Sequence, residues 1–305
     1  MKNHGWLLVD KPTGISSRKV VDLISNSLSI KKVGHAGTLD PMASGLLPIA
    51  IGEATKTVEV IQELKKSYKF TIKWGEKTST DDKMGSTILS TSKRPSLLNI
   101  NKNIKNFLGK IEQIPPNFSA IKVKGKRAYK LARNNEKFSL VSRAVVIENL
   151  KIIRYIDKDY CSFECICSKG TYIRALGRDL GEAMGCFGHI YKLRRTQIGK
   201  FSNKYAILLD LSEKVIHSSA ILKNILPIEK VLESLPFINL TKKQEISIKN
   251  GQKICLDELN VDNKNKKSLL FKSNDSLMIC KNENRLICFF KIDNNFVKPT
   301  RVFNL

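Results

Sequence analysis

The sequence predicts an α+β fold, because strand and helix patterns interleave along it without the regular repeat of a doubly wound sheet. Residues 67–74 alternate strictly, with Tyr68, Phe70, Ile72 and Trp74 on one side and Lys69, Thr71 and Lys73 on the other. Residues 144–156 and 160–168 read as an antiparallel pair turning at Asp157-Lys158-Asp159. Ile173, Leu176, Leu180 and Met184 then recur at helical spacing.

Taken in order, residues 5–9 form a strand that stops at Asp10-Lys11-Pro12-Thr13-Gly14. A helix starts near Ser16 or Ser17, whose hydroxyls suit capping of its free amides, and shows an apolar face of Val20, Val21, Ile24 and Leu28. Gly34–Gly45 holds three glycines, one proline, one histidine and one acid, which marks a shaped loop. Pro41 biases Asp40 toward extended geometry, and the apolar run 46–51 that follows reads as a buried strand. Glu53–Leu64 reads as a second helix and 97–108 as a third. Gly75–Arg94 is polar and is expected to be a mobile excursion, with Asp81 and Asp82 solvated within it. After Ile114-Pro115-Pro116 comes the densest basic run, Lys122, Lys124, Lys126, Arg127, Lys130 and Arg133, with Tyr129 among them. Residues 189–201 form a further strand. A composition change near Pro236, followed by short strands and the polar stretch Asp262–Lys267, predicts a division into domains at 1–236 and 237–305, the second small and β-rich.

Composition narrows the function classes. The net charge is +25, with 53 Lys and Arg against 28 Asp and Glu, which suits a polyanionic partner, nucleic acid first. Only 12 of the 53 are Arg, so a general loading of lysine onto solvated surface accounts for part of the excess. The charge is spread over both regions, 40 basic and 21 acidic groups before residue 237 against 13 and 7 after it. No apolar run approaches the ~20 residues of a membrane span, and the first strand is too short for a signal peptide; a cytoplasmic protein is expected. Seven cysteines contain no C-x-x-C pair, so free buried thiols are expected, Cys161, Cys165 and Cys167 sharing one strand face with Phe163. His4, His35, His189 and His217 lack metal-ligand spacing, and neither a phosphate-binding loop nor a dinucleotide fingerprint is present, so neither a metal nor a cofactor is expected.

What remains is an acid in a shaped loop, a tyrosine at a strand start and Lys-Gly-Thr-Tyr-Ile-Arg at a helix start. Together Trp6–Gly14, Gly34–Gly45, Lys66-Ser67-Tyr68, Ser168–Arg174 and Leu193-Arg194-Arg195 resemble the TruB family of tRNA pseudouridine-55 synthases, in order and spacing over about residues 5 to 210. The resemblance implies the pseudouridine synthase fold, a mixed and largely antiparallel central sheet flanked by helices. Residues 237–305 are similar to the family's PUA domain, chiefly at Asn250-Gly251-Gln252 and Phe290–Pro299. It further implies isomerisation of uridine in the T-loop of tRNA by a monomeric enzyme that needs no cofactor, metal or membrane. By resemblance Asp40 is the nucleophile, acting on the sugar or on the uracil ring, and Arg174 is the cation that pairs with it. Tyr68 lies against the target ring, Tyr172 contacts the bound nucleotide, Leu193 contacts the base and His35 fills the space a flipped base leaves. Lys11 with Pro12 supports the wall of the site. Two other readings fit the same motifs: a catalytically idle RNA-binding factor on this fold, and an RNA-guided relative acting inside a larger complex.

Overall fold

The computed structural model describes residues 4–209, 218–259 and 277–305; His217 and Asp262–Lys267 lie outside the described residues. Its first region runs β1 (Gly5–Lys11), α1 (Ser17–Leu28), β2 (Val33–His35), β3 (Ser44–Ile51), α2 (Val58–Glu63), β4 (Lys66–Trp74), β5 (Glu76–Thr78) and β6 (Thr87–Ser90). It continues with α3 (Leu97–Ile104), β7 (Gly109–Gln113), β8 (Lys122–Val123), β9 (Lys126–Arg127), α4 (Ala128–Arg133), β10 (Arg143–Tyr155), β11 (Tyr160–Cys167), α5 (Ile173–Ala183) and β12 (Gly188–Ile198). Short β13 (Phe201–Ser202) and β14 (Ile207–Leu208) precede α6 (Ser218–Lys223) and α7 (Glu229–Leu232).

Among the described residues the main sheet has ten strands, ordered β14-β1-β3-β12-β4-β11-β10-β7, with β13 added to β12 and β2 to β3. The β1–β14 and β3–β12 pairs are parallel and the others antiparallel. This is the mixed, largely antiparallel sheet that the motifs imply. β4 lies in its middle, which is why Tyr68, Phe70, Ile72 and Trp74 are all buried and Phe70 stacks on Phe163 of β11 at 5.4 Å. Helix α1 begins where its capping hydroxyl predicts: the Lys19 amide donates to Ser16 Oγ at 3.1 Å.

Helix α5 lies against β12 at unusually close range. A Cβ on Gly181 would sit 2.4 Å from the Gly188 amide nitrogen, so only glycine allows this approach. The expected helix over 53–64 starts as a 3₁₀ turn, Gly52–Thr57, before α2. Thr55 Oγ1 and Thr57 Oγ1 donate to carbonyls three residues back, at 2.7 and 2.8 Å, which favours the tighter winding. The third helix ends at Ile104 and passes into another 3₁₀ turn, Lys105–Phe107.

The remaining strands, β15 (Phe237–Asn239), β16 (Ile254–Cys255), β17 (Met278–Asn282), β18 (Arg285–Asp293) and β19 (Phe296–Val302), form a second sheet ordered β15-β17-β18-β19-β16, with α8 (Lys242–Lys249) beside it. Thr241 and Gln244 close a capping box at the start of α8. An apolar cluster joins this sheet to the first region, Ile279, Leu286, Phe289 and Phe303 packing with Trp6, Leu8, Leu46 and Ile61.

Glu53 fastens the end of the chain to that body. Its side chain is buried, takes Lys32 at 2.9 Å and Lys56 at 2.6 Å, and accepts the Asn304 amide at 2.9 Å. Burial alone would raise its pKa, but these donors outweigh it and bring the carboxyl down to about 2 from 4.5. The folded state therefore gains stability from Glu53 above pH 4.5 and loses it as the pH falls toward 2. Urea unfolding of Glu53→Gln is expected to show a large deficit against wild type at pH 7 that narrows toward pH 2; a deficit independent of pH would deny Glu53 this role.

Candidate active site

Asp40 is held by its neighbours on both sides. Leu39 exchanges two hydrogen bonds with the buried Ser17 hydroxyl of α1, its amide donating at 2.8 Å and its carbonyl accepting at 3.0 Å. The Pro41 carbonyl accepts from the Gly14 amide at 2.8 Å and from Lys11 Nζ at 3.5 Å. Lys11 is wholly buried and also donates to the carbonyls of Pro12 and Ile15, at 2.8 and 2.9 Å. Burial drives its pKa down to about 8 against the opposing pull of Asp40.

The far end of the loop depends on Gly45. Its φ is +105°, and a Cβ there would lie 2.2 Å from the Arg195 carbonyl oxygen on the parallel neighbour β12. Gly45→Ala is expected to cost about 3 kcal/mol or more in urea unfolding, combining a strained backbone with a clash against another strand. A cost under about 1 kcal/mol would show that the loop adapts.

Arg174, on the first turn of α5, grips Asp40 with both arms of its guanidinium. Nε donates to Oδ2 at 2.8 Å and one terminal nitrogen to Oδ1 at 3.0 Å. Two further donors go to the carbonyls of Thr80 and Phe118, each at 3.0 Å, and Asp82 Oδ2 stands 3.8 Å from Nε. The Arg174 side chain is 6% exposed and that of Asp40 31%, so the carboxylate faces outward from a buried cation. The turn carrying Arg174 is fixed by the buried Gln113 of β7, whose amide accepts from the Tyr172 N–H at 2.8 Å and donates to its carbonyl at 3.1 Å.

The carboxylate opens on a cavity of about 740 Å³. Tyr68, Tyr172, Leu193 and Arg195 line it, as do Lys66, Asp82 and, from α4, Tyr129 and Arg133. Tyr68 and Leu193 are 9% and 7% exposed, core-like in burial yet part of the cavity wall. Burial raises the phenol pKa of both Tyr68 and Tyr172. The cavity thus brings together Asp40, Arg174, Tyr68, Tyr172 and Leu193. His35 is not on its lining. It lies on β2, paired with Ile49, half-buried, with Nδ1 lacking a partner among the described residues and its pKa lowered by burial.

A family model described as the TruB family pseudouridylate synthase N-terminal domain matches residues 25–173. A second, for the tRNA pseudouridylate synthase B C-terminal domain, matches residues 174–233. The tRNA pseudouridine synthase B of Ehrlichia ruminantium is 45% identical, with 99% of this chain and 100% of that protein aligned. The chain belongs to the TruB family of pseudouridylate synthases. The corresponding proteins of Ehrlichia chaffeensis and a Caulobacter species are 42% and 38% identical over 99% of this chain, and 100% and 96% of theirs. Solved structures share the fold: a chain of an H/ACA RNP bound to a substrate RNA containing 2'-deoxyuridine is 23% identical, with a TM-score of 0.69, covering 99% of this chain and 85% of that one. A chain of a Cbf5-Nop10-Gar1 complex gives 24%, 0.72, 99% and 85%. As a TruB-family pseudouridine synthase this chain is an isomerase.

The expectation that Asp81 and Asp82 are solvated is overturned. They are 7% and 5% exposed, on a connection between β5 and β6 that is fastened to β12 through the Ile190 amide and carbonyl. Asp81 pairs with Arg178 at 3.0 Å and Asp82 stands beside Arg174, so two adjacent acids meet two arginines four apart on α5. That spacing, set against an acidic doublet, was the available signal in this TruB-family sequence. The same pairing corrects the reading of Gly75–Arg94 as a mobile excursion: the segment is a hairpin further anchored by Arg94 on Asp159. Among the described residues no cluster of His, Cys, Asp and Glu has the arrangement of a metal site, and no helix is long and apolar enough to cross a membrane.

Proposed function

We infer that this enzyme converts uridine 55 in the T-loop of tRNA to pseudouridine, with Asp40 as the nucleophile and the target base turned out of the loop into the cavity. The observation that carries this reading is the Asp40 carboxylate, gripped by both arms of a buried arginine and facing a cavity walled by a tyrosine and a leucine. A carboxylate suits a nucleophile here, and the Arg174 guanidinium gives its negative charge a fixed partner when substrate excludes water. The reaction breaks the bond from N1 to C1', turns the base and joins C5 to C1'; the C5 proton leaves and N1 gains one. Atoms and electrons balance within one nucleotide, so the chemistry requires no co-substrate. The names of the most similar relatives support tRNA as substrate.

Extracting a loop uridine costs a few kcal/mol, and stacking on an aromatic ring returns ~1–3 kcal/mol per base. Tyr68 supplies the ring, Leu193 the opposite apolar contact and Tyr172 a contact to the nucleotide. His35, beside the cavity, takes the space that the base vacates, and Lys11 holds the loop wall. Phosphate contacts supply the balance. The basic run suits them: β8, β9 and the exposed Lys122, Lys124, Lys126 and Arg127 lead into α4, whose Tyr129 and Arg133 reach the cavity rim. Residues 1–236 form the catalytic domain in this reading and 237–305 a PUA-like RNA-binding domain.

Lys124→Glu, Lys126→Glu and Arg127→Glu together are expected to weaken RNA binding and to flatten its dependence on salt, the slope falling by about one for each phosphate left without its cation. An unchanged slope would make the run a merely solvated face. The function itself is tested by mapping pseudouridine in tRNA transcripts incubated with purified protein alone. Modification confined to position 55 is expected. Binding without modification would favour an idle RNA-binding factor, and modification only after a guide RNA is added would favour a guided enzyme.

A further inference from the structure

Arg195 is 1% exposed and, among the described residues, pairs with no carboxylate. Its Nε donates to the Leu46 carbonyl and one terminal nitrogen to the Gly37 carbonyl, both at 2.8 Å, and its side chain lies on the cavity lining between the Asp40 loop and Tyr68. Arg174, by contrast, has Asp40 and Asp82 for itself. The groups around Arg195 deepen the imbalance. Lys11 and Lys66 are buried cations whose ammonium groups are pushed down to about 8, first by burial and further by the nearby Arg195 charge. Cys167 is buried beside Lys66, its sulfur 3.7 Å from the Lys66 carbonyl oxygen, and its thiol is drawn below the ordinary range by Cys165, Thr171 and the charges of Lys66 and Arg195. A buried, unpaired guanidinium is costly to a folded protein, several kcal/mol even after relaxation. A charge so placed on the cavity lining can be met by an anion that forms within the cavity.

We propose that Arg195 is a catalytic residue that stabilises the negative charge developing on the uracil ring of the substrate. The inference rests on the isomerase reading above and refines it. If Asp40 attacks C1', the bond from N1 breaks and its electron pair leaves with the uracil; if Asp40 adds to C6, the ring electrons move onto the C4 oxygen. Either way the ring becomes anionic deep in the cavity, beside Tyr68 and Leu193, which is the depth at which Arg195 lies. The backbone phosphate of a flipped nucleotide stays nearer the rim, where Lys169 and Arg133 stand. A preorganised cation of this kind contributes more to the transition state than to the bound substrate.

Arg195 also shapes the Asp40 loop through its two carbonyl contacts, so loss of activity alone does not separate charge from scaffolding. The test compares two stem-loops, one with uridine and one with 5-fluorouridine at the target, under single-turnover conditions. Consumption of each target nucleoside is followed by nuclease digestion and chromatography. Fluorine withdraws electrons from the ring and lowers its need for an external cation. Arg195→Met is expected to slow the uridine substrate by about 10²-fold, as for loss of one oxyanion donor, and the fluorinated one by about tenfold or less. Equal losses on both would assign Arg195 to scaffolding and overturn the proposal. Should Arg195→Met fail to fold, Arg195→Lys decides: retained charge predicts a loss of no more than about tenfold on uridine, and a folded variant losing about 10²-fold or more would overturn it. Wild-type enzyme inert on both substrates would instead sink the isomerase reading itself.

Discussion

Asp40→Asn is expected to lower the single-turnover rate of pseudouridine formation by about 10⁴-fold or more while leaving RNA affinity within a few-fold of wild type. The amide keeps the shape of the carboxylate and can still accept from one arm of Arg174, so the loop pinned through Ser17, Lys11 and Gly14 has no reason to move. What it loses is the charge and nucleophilicity of the oxygen that faces the cavity. Affinity comes chiefly from phosphate contacts along the basic surface and from base stacking, neither of which uses Asp40. Tritium release from uridine labelled at C5 measures the rate, and filter binding the affinity. Turnover within tenfold of wild type would remove Asp40 from the nucleophile's role.

Arg174→Lys is expected to follow closely, with a loss of about 10²–10³-fold in rate and a clear loss of stability. Lysine keeps one positive charge but has no planar fork to hold both oxygens of Asp40. It also cannot serve Asp40, the Thr80 carbonyl and the Phe118 carbonyl from one rigid group. These partners come from three separate segments, the Asp40 loop, the β5–β6 connection and the stretch after Pro116, so the cavity wall depends on one side chain. The charge is kept, but each buried acceptor left without its donor costs about 1–3 kcal/mol. The contributions separate in two assays. Urea unfolding reports the stability loss, and rate measured with saturating RNA reports the misplaced nucleophile. A variant of normal rate and lowered stability would make Arg174 a structural clamp only.

Much of this was legible in the residues because the deciding interactions are local. Strict alternation fixed β4, and the serine hydroxyl before Val20 fixed the start of α1. The glycines and proline around Asp40 announced a shaped loop before any partner was known. What escaped notice depends on groups far apart in sequence. Asp81 and Asp82 read as solvated because they sit in a polar stretch; their arginine partners lie nearly a hundred residues on, along α5. The role of Arg195 was hidden for the same reason, since a buried cation is recognised by the carboxylate it lacks.

The most direct measurement is a crystal structure of the enzyme with a T-stem-loop carrying 5-fluorouridine at position 55. The target base is expected out of the loop, against Tyr68 and Leu193, with an Asp40 oxygen bonded to C1' or C6 or within about 3.5 Å of one of them. Arg174 should still hold the other oxygen. A bound stem-loop whose target uridine stays stacked, with Asp40 facing only protein and solvent, would contradict Asp40 as nucleophile and the cavity as the seat of the base.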